Sequence, residues 1–324
     1  MPRRIMRRIL ITGASGQIGS EMTPEFRKRF GRDNVVASDV RSPSIEAPNS
    51  GPFEMLDVTD REGIRMVVEQ HDIDTIIHLA AILSATGEKN PNLAWRVNMD
   101  GVYNVLEVAR EMELMRVFFP SSIAAFGPET PKDMTPQDTV MRPTTVYGVT
   151  KVAGELLCDY YYNKFKVDVR GIRFPGIISS EAPPGGGTTD YSVEMFYHAV
   201  MRKPYVCFVR QDTVLPMMYM PDCLKATFDL LEVDLSRLKH HSGFNVAAIS
   251  FSAGELSAEI QKHVPEFRVV YKPDFRQGIA DSWPRTIDDS AASAEWGWRP
   301  SFNLASMTKD MLKRLERRHK EGRL

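Results

Sequence analysis

Cysteine is scarce in this chain. Cys158, Cys207 and Cys223 are odd in number and far apart, so the sequence indicates neither a disulfide framework nor a zinc site, and a reducing compartment suits them. No apolar run approaches the ~20 residues that span a bilayer. The start, Met1 to Arg8, carries four arginines and no acid, and it lacks the apolar centre of a secretory signal. It reads as a basic tail, with an organelle-targeting remnant as the alternative. Neither sign of charge is in excess: 41 basic and 42 acidic side chains leave a formal net charge of -1. That gives no reason to expect nucleic acid or a membrane surface as partner. Periodic repeats and low-complexity runs are absent too. What is present is an ordinary globular mix, 43% hydrophobic and 26% charged, over 324 residues. Such a chain can bury one large core or two coupled lobes.

The first half alternates apolar runs with helical patterns, the signature of a doubly wound α/β sheet. Arg8 to Thr12 reads as a buried parallel strand. Gly13-Ala14-Ser15-Gly16-Gln17-Ile18-Gly19 follows, and a helical pattern then runs through Phe30. A glycine loop with a strand before it and a helix after it lets a pyrophosphate approach the backbone at the helix N-terminus. Val35 to Ser38 is the second strand, ending at Asp39, twenty residues beyond Gly19. A carboxylate there accepts hydrogen bonds from an adenosine ribose and repels a 2′-phosphate, so NAD is expected rather than NADP. Arg41 stands close by, and a cap at the strand end is the alternative role for Asp39. Met55 to Thr59 reads as a third strand with Thr59 or Asp60 as helix cap, and Thr75 to Ala81 as a fourth. Small residues after that strand let a flat ligand lie against the backbone. His78 reads as a packed core residue. Pro91 to Glu111 is one long helical pattern holding Asn98, and Arg116 to Pro120 is a fifth strand that delivers Ser121 and Ser122 at its carboxyl end.

Tyr147 and Lys151 lie four apart in a helical pattern that runs to about Phe165. Such positions share one helix face, roughly 6 Å apart. A free tyrosine loses its proton near pH 10, and a nearby ammonium lowers that value. The expectation is that Lys151 favours the phenolate of Tyr147, which takes a proton from a substrate hydroxyl. Ser121 and Ser122, both delivered at the end of the fifth strand, are the candidates to donate to that oxygen as charge develops. Val169 to Phe174 is the sixth strand. Residues 1–174 are thus expected to form a Rossmann-type nucleotide-binding domain, and 175–324 a smaller, closely packed substrate lobe. The second part opens on the flexible loop Pro183 to Asp190, with a helix from Val193.

Gly13-x-x-Gly16-x-x-Gly19, Asp39, Asp57-Val58, Ser122 and Tyr147-x-x-x-Lys151, in this order, resemble the extended short-chain dehydrogenases/reductases related to UDP-galactose 4-epimerase. Further stretches are similar to the L-threonine 3-dehydrogenase branch: Ala81-Ile82-Leu83-Ser84, Phe126 to Pro131, Gly187-Thr188-Thr189-Asp190-Tyr191, and Leu215 to Met220. The resemblance covers nearly the whole chain. It implies oxidation of the threonine hydroxyl to 2-amino-3-oxobutanoate with NAD as cofactor. It places cofactor contacts at Gly13, Gly16, Gln17, Ile18, Gly19, Asp39, Asp57, Val58, Leu79, Ala80, Ala81, Asn98, Tyr147, Lys151 and Ile177. It places substrate contacts at Ser84, Ser122, Tyr147, Thr188 and Thr189, with Asp190 a further candidate. Thr188 to Asp190 could instead cap the following helix. Trp283 could close over the substrate or simply lie in the core.

Two other readings stay open from the residues. A nucleotide-sugar epimerase or dehydratase would need cations for a diphosphate, and Arg202, Lys203 and Arg210 show no organised site. A non-catalytic dinucleotide sensor would be free to lose the Tyr-Lys pair, which is present. The Pro91 and Tyr147 helices carry apolar residues on more than one face, and the family commonly dimerises through them, so a homodimer is expected. Cytoplasm is the default location, with a mitochondrial matrix as the alternative.

Overall fold

The computed structural model describes residues 6–42, 51–183 and 185–324. The basic stretch at residues 1–5 and Pro184 of the proline- and glycine-rich loop lie outside the described residues.

Seven strands form one parallel sheet: β1 (Ile9–Thr12), β2 (Val35–Asp39), β3 (Phe53–Met55), β4 (Thr75–His78), β5 (Arg116–Ser122), β6 (Val169–Phe174), and from the second half β10 (Phe244–Asn245). Their spatial order is β10-β6-β5-β4-β1-β2-β3. The chain winds outward from β1 in one direction and then in the other, and the crevice beside β1 opens at the carboxyl ends of the strands. The strands read as continuous apolar runs because both faces are covered. Ile9 and Ile11 pack with Phe26, Phe118 and Phe228 on one face, under helices Gln17–Phe30 and Met220–Glu232. Leu10 and Val117 pack with Ile64, Val105 and Tyr161 on the other, under helices Arg61–Gln70, Gly101–Glu111 and Val146–Phe165.

A second core holds the rest. There β7 (Gly176–Ile178), β9 (Val214–Tyr219) and β11 (Ile249–Ser252) form a three-stranded sheet, and β8 (Tyr205–Cys207) pairs with β12 (Val269–Tyr271). Helices Tyr191–Val200, Ala253–Gln261 and Leu304–Lys320 gather around Met217, Phe251 and Leu315. This part of the chain returns to the first through helix Met220–Glu232 and through β10. Among the described residues no helix is long and apolar enough to cross a membrane.

Three local expectations shift. The third strand ends at Met55, where Met55 to Thr59 was expected. Asp57 Oδ1 accepts from the Thr59 amide and hydroxyl at 2.9 Å each, turning the chain at once. Asp60 then caps the next helix, accepting from Gly63 N at 3.0 Å. The fourth strand stops at His78. The Pro91 to Glu111 helix is one rod with a π-turn at Arg96–Asp100, a single wide turn of the kind found near functional sites.

Strand β6 and helix Met220–Glu232 are tied by Arg170, which is fully buried. Its guanidinium donates to both Asp168 carboxylate oxygens at 2.8 and 2.9 Å and to the carbonyls of Leu230 and Val233 at 2.7 and 2.8 Å. The last carbonyls of a helix have no partner within it, so this cation occupies the place a cap would take. Replacing Arg170 by Leu strands those carbonyls and weakens the neutralisation of Asp168. Denaturant unfolding should show about 3–5 kcal/mol lost.

Candidate active site

Strand β1 leads straight into the glycine loop, and the packing explains its glycines. Gly13 has φ 68°, and a Cβ there would lie 2.6 Å from Ala80 N. At Gly19 a Cβ would lie 2.4 Å from the Gly13 carbonyl oxygen, so loop and helix touch backbone to backbone. Helix Gln17–Phe30 has no side-chain cap and no acid in its first turn. Its free amides and positive dipole end therefore suit an anion. Asp39, at the end of β2, accepts from Ser15 N at 3.0 Å and from Arg41 N at 3.1 Å. A backbone cradle and a fixed carboxylate together fit a dinucleotide.

The cleft above this loop has a cavity volume of about 190 Å³. It is lined by Gly13, Gly16, Gln17, Ile18, Gly19, Leu79, Ala81, Ser84, Ser122, Tyr147, Lys151, Ile177, Thr188 and Thr189, all expected there. The remaining predicted cofactor residues lie elsewhere. Asp39 braces the loop from behind. Asp57 is exposed and bonded to Thr59. The Val58 side chain is in the core, where a Cβ on Gly101 would come within 2.9 Å of it. Ala80 and Asn98 line a small separate cavity beside Lys151, together with His78, Phe119 and Thr150. Asn98 sits in the π-turn and bonds Ile82 N at 2.8 Å, Ile82 O at 3.1 Å and Thr150 Oγ1 at 3.1 Å. It holds the segment after β4 in place.

Thr145 caps helix Val146–Phe165, accepting from Gly148 N at 3.1 Å, and so sets where Tyr147 emerges. Tyr147 and Lys151 are buried, and the Tyr147 hydroxyl has Ser122 as hydrogen-bond partner. Burial pushes the Tyr147 phenol up to about 12, and the Ser122 bond only partly opposes it. Burial also pulls Lys151 down to about 8, opposed by the nearby charge of Glu155. Burial thus dominates both groups, and Lys151 is not among the influences on the Tyr147 phenol. The Lys151 Nζ donates to the Pro120 carbonyl at 2.6 Å and stands 5.3 Å from the centre of the Tyr147 ring. An ammonium drawn out of water takes a backbone oxygen as partner. Ser121, which the sequence left competing with Ser122, turns instead to Glu155.

Ser84 and Thr188 meet across the cleft with their hydroxyls 3.0 Å apart. The capping alternative for Asp190 is not what its side chain does: it accepts from Gly186 N and Gly187 N at 2.8 Å each, and burial raises it to about 6. Trp283 lines the cleft, as do Leu83, Ile123, Pro120, Phe174, Pro175 and Gly176, which sequence reasoning did not single out. Leu83 lay inside a matched stretch. Pro175 and Gly176 follow the sixth strand directly, at the ligand-binding end of the sheet.

Over residues 9–246 the chain matches the NAD dependent epimerase/dehydratase family. It belongs to that family. It is 53% identical over 313 residues to an uncharacterized epimerase/dehydratase of Staphylococcus haemolyticus, spanning 96% of this chain and 98% of that protein. Among solved structures it is similar to the L-threonine dehydrogenase of Clostridium difficile, with 51% identity, a TM-score of 0.94, and 97% and 99% of the two chains covered. It is equally similar to the holo form of a GalE-like L-threonine dehydrogenase from Cupriavidus necator, at 51% identity and TM-score 0.93, covering 95% and 99%. This family member is an NAD-dependent oxidoreductase acting on a small molecule. Its cofactor preference is testable at Asp39. Replacing Asp39 by Ser removes the charge that repels a 2′-phosphate. The ratio of kcat/KM for NADP over NAD should then rise at least about tenfold.

Proposed function

We propose that this chain oxidises the 3-hydroxyl of L-threonine to 2-amino-3-oxobutanoate, reducing NAD. The observation that carries the reading is one cleft holding both the Tyr147–Ser122 pair and the Ser84–Thr188 hydroxyl pair, beside the glycine loop. The near-full-length likeness to solved L-threonine dehydrogenases supports the substrate. A nucleotide sugar fits less well. Among the described residues lining the cleft Lys151 is the one basic side chain, while Arg202 pairs with Glu266 and Arg210 with Asp281 away from it.

The glycine loop would hold the pyrophosphate and Lys151 the nicotinamide ribose; NAD, when bound, would supply the hydride acceptor. Everything else falls to the protein. Ser84, Thr188 and Thr189 bind the zwitterion's ammonium and carboxylate. Ser122 donates to the substrate oxygen, and Tyr147 Oη receives its proton. Leu83, Ile123 and Trp283 exclude water from the reacting carbon.

The test is NADH formation from NAD on adding L-threonine, with UDP-galactose in parallel. Steady NADH release with threonine alone is expected, and turnover of the nucleotide sugar without it would overturn the assignment. Replacing Tyr147 by Phe should lower kcat at least about a hundredfold. Burial keeps the Tyr147 proton on at neutral pH. The base must lose it, so kcat/KM should climb as pH rises from 7 to 8. A flat or falling profile speaks against Tyr147.

We propose in addition that the chain forms a homodimer. The Pro91–Trp95, Gly101–Glu111 and Val146–Phe165 helices pack together and expose Trp95, Tyr103, Val149, Leu156 and Tyr160. Light scattering should give twice the chain mass, and replacing Leu156 by Arg should halve it.

A further inference from the structure

Three consecutive residues of β5 meet three residues of helix Val146–Phe165 that lie one turn apart. Pro120 accepts from Lys151, Ser122 bonds Tyr147, and between them Ser121 donates its hydroxyl proton to the Glu155 carboxylate. Glu155 continues the Tyr147–Lys151 face by one more turn. It is buried to 3% exposure, and Arg173, buried to 5%, grips both its oxygens at 3.0 and 2.8 Å. Arg173 lies directly across from Ser121 in the β5–β6 register, so both side chains reach the same carboxylate. The guanidinium extends the tie to the Gln137 carbonyl at 2.8 Å and to Asn245 of β10 at 3.1 Å.

We propose that Glu155 is a positioning residue for the reaction: through Ser121 and Arg173 it locks the end of β5 to the Tyr147 helix, and it places a negative charge behind Lys151. The proposal rests on the assignment of Tyr147, Lys151 and Ser122 as the reacting machinery.

The groups around Lys151 bear this out. On its own helix it faces Tyr147, Glu155 and Cys158. From β4 it faces His78, from β5 the Pro120 carbonyl and the Phe119 ring at 5.0 Å, and Arg173 of β6 acts on it only across Glu155. Burial keeps His78 neutral, down at about 3, and holds the Cys158 thiol well above its usual range. Tyr147 is likewise neutral. Among the described groups facing Lys151, the Glu155 carboxylate is therefore the foremost one opposing the desolvation of the ammonium, ahead of Cys158; desolvation by itself favours loss of the proton. A carboxylate is suited to this place because its two oxygens accept from Ser121 and Arg173 together and still counter the cation; an amide has one acceptor oxygen, turns its NH2 toward a donor and carries no charge.

The test uses the full-length protein and three variants: Glu155→Gln, Glu155→Gln with Arg173→Met, and Ser121→Ala. The double variant removes the pair as a unit and leaves no lone buried cation to block folding. Two readouts are taken from pH 6.5 to 9.5. The first is kcat and KM for NADH formation with L-threonine. The second, made on ligand-free protein, is the pH midpoint for acetylation of Lys151 by acetic anhydride, followed by peptide mass spectrometry. In both Glu155 variants the Lys151 midpoint should fall by about one pH unit. The high-pH limb of kcat/KM should move down with it, kcat should drop about tenfold, and KM for NAD should stay within about twofold. Ser121→Ala should lower kcat and leave the Lys151 midpoint in place. Folded Glu155 variants with an unmoved Lys151 midpoint and the parent pH profile would overturn the proposal. A parent enzyme silent toward threonine would instead sink the substrate reading, and the acetylation arm would still judge Glu155.

Discussion

The site depends on keeping a cation and a phenol together where water is scarce. Burial favours the neutral form of both Tyr147 and Lys151, the opposite of what proton removal from an alcohol needs on its face. The surrounding structure answers with fixed dipoles and charge: the Pro120 carbonyl and the Glu155 carboxylate on Lys151, and the Ser122 hydroxyl on Tyr147. Such groups are already oriented before a substrate arrives and need no rearrangement when it does. A less buried pair would titrate more conventionally and would leave the reacting carbon open to water.

The sheet makes this arrangement possible. Parallel strands end their carboxyl termini on one side, and the reversal of order at β1 separates the crossings so that a crevice opens there. The glycine loop, the segment after β4 and the end of β5 all arrive at that crevice. Each is then held by a polar side chain spent on backbone: Asp39 on Ser15, Asn98 on Ile82, Lys151 on Pro120. The second part of the chain contributes Ile177, Thr188, Thr189 and Trp283 to the opposite wall. It is fastened to the sheet by Arg170 under helix Met220–Glu232 and by Arg173 reaching Asn245. Two buried arginines in one strand thus serve the architecture on one side and the reacting groups on the other.

Much of this was legible in the residues. Apolar runs broken by helical patterns named the parallel sheet, because a strand covered on both faces has no polar side to show. The loop from Gly13 to Gly19 was readable because its neighbours in sequence are its neighbours in space. Tyr147 and Lys151 were readable because a helix converts a spacing of four into contact. The elements that moved, at Met55 and His78, did so where a side chain took backbone hydrogen bonds: Asp57 from Thr59 N, and Thr12 Oγ1 from Ala80 N at 3.4 Å.

By itself, then, the sequence determined the fold class and the cofactor loop and put Tyr147 and Lys151 on one helix face, since each rests on local geometry or on a short repeated spacing. The tertiary structure decided the rest. Which way Lys151 points, that Ser121 serves Glu155, that Ser84 meets Thr188 across 104 residues, and that Asp57 and Val58 turn their side chains away all depend on chain segments distant in sequence. So does the protonation of the pair. A spacing of four says that a lysine can approach a tyrosine; only the low-dielectric wall around them, and the anion one turn further along, says what charge each will carry.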